Sequence, residues 1–138
     1  MESRVNKALE LHKKGYNCAQ SVACAYCDLA DIDENIMFKL TEGFGLGMGC
    51  TKGTCGAISG AVILAGILNS TGNLECPDSK AYTYKLSKEI MTRFENMNGS
   101  TICGKLKGIE TGNPLRSCDG CIQDAVLLAE EILFSDNT

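Results

Sequence analysis

The segment Cys55-Gly-Ala-Ile-Ser-Gly-Ala-Val-Ile-Leu-Ala-Gly-Ile-Leu68 is apolar almost all round, and it restricts the folds open to this chain more than any other stretch. A helix with no polar face has to be enclosed by other elements. It is also shorter than the ~20 residues that a membrane-spanning helix needs, so it reads as a buried core helix and no membrane span is expected. Gly56 and Gly60, and Ala57, Ala61 and Ala65, recur four apart along it, which lets neighbouring helices or a cofactor approach the backbone. The segments that would surround it have helical periodicity with a polar face: about 4–14, about 80–98 and about 120–133. Two more helices are expected between them, one capped by Asn17 and carrying Cys18, Val22, Tyr26 and Leu29, the other capped by Asp33 and running through Leu40. No strand of any strength appears. The expectation is an all-α, single-domain bundle over 1–138, of about five to six helices around a central apolar helix at about 55–69.

A glycine-dense run, Gly43-Phe-Gly-Leu-Gly-Met-Gly49, leads into the central helix by way of Cys50, Thr54 and Cys55. Alternate glycines permit positive φ and close approach to another group. Thr54 is expected to cap a helix starting at Cys55, putting that sulfur in a first turn. There the free N–H groups and the helix dipole stabilise a thiolate. Neither of the glycine-rich phosphate-binding patterns fits any register here, and no strand precedes the run.

Nine cysteines in 138 residues ask for an explanation. With 44% hydrophobic residues the chain is large enough to bury a core without disulfide staples. The first fifteen residues carry Glu2, Arg4, Lys7, Glu10, Lys13 and Lys14 without an apolar run, so no signal peptide and a cytoplasmic location are expected. In a reducing compartment an odd number of cysteines points to metal ligation or thiol redox work. A net charge of −4 argues against binding nucleic acid through its phosphates. No acid–base pair or Ser-His-Asp arrangement supports hydrolysis. His12, the single histidine, is given no role.

Four cysteines fall at predicted helix starts: Cys18 after Asn17, Cys55 after Thr54, Cys103 after Ser100 and Thr101, and Cys118 after Ser117. Several helix N-termini meeting at one thiolate cluster is what a metal centre requires. The spacing Cys18-x5-Cys24-x2-Cys27 differs from the plant-type ferredoxin run, which has x4 in an irregular loop. Cys24 and Cys27 therefore read as small buried hydrophobes.

Gly15-Tyr-Asn-Cys18-Ala-Gln, Phe44-Gly-Leu-Gly, Thr54-Cys55-Gly-Ala-Ile-Ser-Gly, Cys103-Gly-Lys-Leu, and Cys118 ahead of Ile122-Gln-Asp-Ala together resemble the C_GCAxxG_C_C family, whose members are described as redox-active. The resemblance spans nearly the whole chain and extends to the iron–sulfur domain of split-Soret cytochromes c. It implies a helical domain with signature cysteines Cys18, Cys55, Cys103 and Cys118, with Cys121 competing for the fourth position. The expected cofactor is an iron–sulfur cluster, 2Fe-2S or 4Fe-4S, held by these cysteines, with Gly45, Gly47, Gly49 and Gly56 bringing backbone N–H groups to it. Electron transfer or redox sensing with a redox partner protein would follow, and a homodimer stays open. Whether the chain is an oxidoreductase or an electron carrier is undecided at this level. Two alternatives use the same thiolates: a structural zinc site in an interaction module, and a thiol–disulfide oxidoreductase using Cys118 with Cys121 or Cys50 with Cys55.

Overall fold

The computed structural model describes residues 1–135. Their helices are α1 (Val5–Lys14), α2 (Cys18–Cys24), α3 (Cys27–Ala30), α4 (Glu34–Glu42), α5 (Gly56–Asn69), α6 (Lys80–Asn98), α7 (Cys103–Lys107) and α8 (Cys118–Leu133). Among the described residues there is no strand, only an isolated antiparallel bridge between Thr54 and Ile102. The all-α architecture is as expected, with six principal helices and the single turns α3 and α7.

α5 is the axis of the bundle, packed by α2, α6 and α8, with α1 lying across α2 and α8. Its small residues explain how closely α2 approaches: a Cβ on Gly60 would come within 2.7 Å of the Ala19 carbonyl oxygen. Ala57, Ile58, Ala61, Leu64 and Ala65 are fully buried. Beyond Ala61 the helix is enclosed on one side only, and Val62, Ile63, Ile67 and Leu68 are half-buried. Tyr26, Phe94, Met37, Ile90, Ile122 and Val126 complete the core, each large apolar side chain contributing about 1.5–3 kcal/mol through burial.

Three expectations need adjustment. The helix expected from Cys18 through Leu29 is broken at Tyr26, whose φ of −122° and ψ of 17° leave the helical region. The break seats Tyr26 in the core, where its hydroxyl donates to Glu130 at 2.6 Å and its ring stacks on Phe134 at 4.7 Å. Long-range packing of one aromatic outweighs local helical periodicity there. On α6 the periodicity puts Tyr82, Leu86, Ile90, Phe94 and Met97 on one apolar face; Ile90 and Phe94 are buried, but Tyr82 and Met97 are 57% and 52% exposed, so the helix runs past the core at both ends. The central helix begins at Gly56, and Cys55 rather than Thr54 takes the N-cap position.

Candidate functional site

At one end of the bundle Cys18, Cys55, Cys103, Cys118 and Cys121 line a single cavity of about 200 Å³. Each sulfur is delivered by a local device. Cys18 opens α2 behind a capping box: the Gln20 amide donates to the Asn17 side chain at 2.9 Å, and the Asn17 amide donates to the Gln20 side chain at 2.8 Å. Asn17 also donates to the Glu42 carbonyl at 2.9 Å, which fixes the start of α2 against the end of α4. Cys118 opens α8 behind Ser117, whose hydroxyl oxygen accepts from the Gly120 amide at 3.0 Å. Cys121 lies one helical turn further on the same element and is 3% exposed.

Cys55 and Cys103 are brought side by side by a short antiparallel pairing. The Cys55 amide donates to the Thr101 carbonyl at 2.8 Å, the Cys103 amide to Gly53 at 3.0 Å and the Gly104 amide to Thr51 at 2.8 Å. Neither Ser100 nor Thr101 caps α7; Ile102 is its N-cap residue. All four signature cysteines nonetheless stand at helix starts, three as first residues and Cys55 as the cap.

The glycine run closes this arrangement from the side as a left-handed turn over Gly45–Gly49. Leu46, Gly47 and Met48 have φ of 55°, 59° and 63°. Side-chain-bearing residues pay roughly 1–2 kcal/mol each to adopt that conformation, and they are held by hydrogen bonds from Gly53 to the Gly47 carbonyl at 3.0 Å and from Thr51 to the Leu46 carbonyl at 2.8 Å. The turn lays Gly47 directly on Cys103, where an added Cβ would stand 2.4 Å from the Cys103 Cβ. Gly45 packs in the same way on Asn17 at 2.4 Å, whereas the Cβ side of Gly49 is open. Of the glycines expected to reach a cofactor, Gly56 borders the cavity, together with Leu46; Gly45, Gly47 and Gly49 lie outside its lining.

One sulfur of the cavity, that of Cys55, is inclined to carry negative charge, while Cys18, Cys103 and Cys121 are held as thiols. A hydrogen bond with Cys121, against the opposing effect of burial, lowers the Cys55 thiol to about 7, helped by the amides of Ala57 and Ile58 and by the Lys107 ammonium. Cys121, the partner in that bond, is pushed strongly upward by it and by burial. Burial likewise raises Cys18, which is hydrogen-bonded to Cys118, and burial raises Cys103. The Lys107 ammonium donates to the Cys118 sulfur at 3.3 Å, and its own pKa is raised by that contact. Lys107 is a site residue that the sequence reading passed over, although its position four residues after Cys103 places it on the same face of α7.

The segment ahead of Cys118 is clamped. Leu115 and Arg116 amides donate to the Leu106 carbonyl at 2.8 and 3.3 Å, and the Arg116 guanidinium grips buried Asp124 through Nε at 3.0 Å and a second nitrogen at 3.1 Å. Gly120 lies beneath that guanidinium, and a Cβ there would stand 2.4 Å from Arg116 Nε and push it aside. His12 also borders the cavity and shares a 2.8 Å hydrogen bond with Asp119.

All nine cysteines are free thiols. Cys50 and Cys76 are exposed, and Cys24 and Cys27 lie away from the cavity lining. At the cavity, Cys18 with Cys118 and Cys55 with Cys121 are the pairs that perturb each other's ionisation most directly. Among the described residues no three His, Cys, Asp or Glu side chains are grouped to hold one metal ion. The five sulfurs surround a space instead of converging on a point. No helix among the described residues is long and apolar enough to cross a membrane.

Comparison with protein families gives a match over residues 16–132 to the model described as "Putative redox-active protein (C_GCAxxG_C_C)". No curated protein and no solved structure matches the chain.

Proposed function

The chain belongs to the C_GCAxxG_C_C family, and from that premise we propose that it binds an iron–sulfur cluster in the five-cysteine cavity and serves in electron transfer or redox sensing. The observation that carries this reading is the lining of one cavity by sulfurs from the starts of α2, α5, α7 and α8. The donor set fits the group. Thiolates are the usual ligands of such clusters, and four of them are distributed over two or four irons, so the sulfurs need not share one ion. A tetrahedral zinc site, with bonds of ~2.3 Å, instead requires its four sulfurs about 3.8 Å apart. When bound, a cluster would supply one-electron chemistry.

Cys18, Cys55 and Cys103 are the proposed ligands together with Cys118 or Cys121. The chain's own contribution is to hold those thiolates and to set their electrostatics. Cys55 is already inclined to ionise, and the Lys107 ammonium beside Cys118 offsets negative charge that accumulates at the site. Leu46 and Leu106 give the cavity an apolar side, where both effects are stronger than in bulk water. Protein purified without oxygen should be brown, absorb in the visible range and contain iron and acid-labile sulfide. Absence of both after reconstitution overturns the reading.

One observation favours a second reading. A thiol lowered to about 7 and hydrogen-bonded to another thiol, as Cys55 is to Cys121, is the arrangement of an exchanging dithiol. That reading requires metal-free protein whose disulfide reductase activity disappears with Cys55→Ser.

A further inference from the structure

Away from the cavity, Cys24 closes α2 and Cys27 opens α3, with Ala25 and Tyr26 between them. Ala25 has φ −64° and ψ −16°, Tyr26 φ −122° and ψ 17°, which are close to the dihedrals of a type I turn. Such a turn holds its first and last Cα atoms less than ~7 Å apart, and a disulfide spans Cα separations of roughly 4.4–6.8 Å. The two thiols lie close enough to perturb each other's ionisation. Their accessibilities differ: Cys24 is 1% exposed and Cys27 is half-buried. An outer sulfur that can be reached and an inner one positioned behind it is the geometry of a dithiol that is attacked and then resolved.

We propose that Cys24 and Cys27 are a second redox element, a dithiol that is oxidised reversibly to an intramolecular disulfide by a low-molecular-weight disulfide. The Cys27 thiolate attacks one sulfur of the oxidant, forming a mixed disulfide and releasing one thiolate. The Cys24 thiolate then attacks the Cys27 sulfur, the mixed disulfide breaks, and the second thiolate leaves. Two protein thiols and one disulfide thus give one protein disulfide and two small thiols, with two electrons passed to the oxidant. Burial raises both thiols, Cys24 to about 12, so the exchange quickens with rising pH. The bond closes across Tyr26, the residue whose seat in the core breaks the helix. The inference stands independently of what the cavity binds.

The test is thiol mapping. Full-length protein is treated anaerobically with oxidised glutathione, unfolded in the presence of an alkylating reagent, and digested with trypsin. The informative fragment is Gly15–Lys39, which carries Cys18, Cys24 and Cys27. In the expected result Cys18 is alkylated while Cys24 and Cys27 are joined, the fragment is two hydrogens lighter, and dithiothreitol restores both thiols. Cys24→Ser should convert the product into a stable glutathione adduct on Cys27. The proposal is overturned if Cys24 and Cys27 are both alkylated once exposed Cys50 and Cys76 have reacted. It is equally overturned if the wild-type bond joins Cys18, or if the adduct on Cys27 persists in the wild type. The wild-type mapping decides the matter even where the variant folds poorly.

Discussion

Replacing the Cys55 sulfur with oxygen changes very little volume and nearly all of the chemistry, because a serine hydroxyl is a harder and far weaker acid. Cys55→Ser is expected to remove most of the bound iron, whereas Cys24→Ser, outside the cavity lining, should leave iron content near the wild-type value. For Cys118→Ser the expectation is partial loss. Cys121 borders the same space one turn along α8, and only the double substitution should empty the site. Metal analysis of the four proteins checks this, and full retention in Cys55→Ser would contradict the ligand assignment. Lys107 acts at the same scale by charge alone. Its ammonium touches Cys118 at 3.3 Å and favours any added electron, so Lys107→Met should shift the midpoint potential downward in a redox titration. An unchanged potential would mean that this cation is not coupled to the site.

The elements owe their positions to contacts that small residues permit. Gly47 combines a φ of 59° with a Cβ direction that points into Cys103. Gly47→Ala should therefore destabilise the protein by at least about 1–2 kcal/mol from the left-handed backbone alone, with displacement of α7 adding to it. Urea unfolding measures the first effect, and reduced iron retention would report the second. The Arg116–Asp124 clamp holds the approach to Cys118, and Asn98 also donates to Asp124 at 3.0 Å. Asp124→Ala leaves both donors without their acceptor and should cost about 1–3 kcal/mol. It should also weaken iron binding although Asp124 is not a proposed ligand. A variant with wild-type stability would show that the clamp contributes little.

Across the whole molecule the cavity borders the core through Cys55, Leu106 and Cys121, but the greater part of the core is separate from it. Phe94, Ile90, Met37 and Val126 are packed away from the cysteine lining, so the bundle does not depend on bound metal for its apolar burial. Chelation should leave the far-ultraviolet helical signal largely intact while lowering the unfolding temperature, because the proposed cluster would link the starts of four helices and stabilise only the folded chain. Loss of helical signal at room temperature on chelation would contradict that separation.

Short-range chemistry was legible in the residues themselves. The Asn17 and Ser117 caps bond to amides three residues away, so they mark the starts of α2 and α8, and with them Cys18 and Cys118, wherever those helices pack. Gly15 and Gly99 end α1 and α6 through left-handed φ values that their own lack of a side chain allows. The unbroken apolar character of Cys55–Leu68 required enclosure, and α5 is enclosed over its first half. Other features depend on partners far along the chain. Tyr26 breaks its helix to meet Glu130, Cys55 meets Cys121, and Lys107 finds Cys118 only because Leu115 and Arg116 are tied back to Leu106. The glycine run declared freedom, but freedom does not choose a conformation. Its left-handed turn was decided by the hydrogen bonds that fasten 46–53 on itself and 51–55 to 101–104. Local capping and burial follow from neighbouring residues, whereas the meeting of sulfurs and charges waits on packing that brings distant segments together.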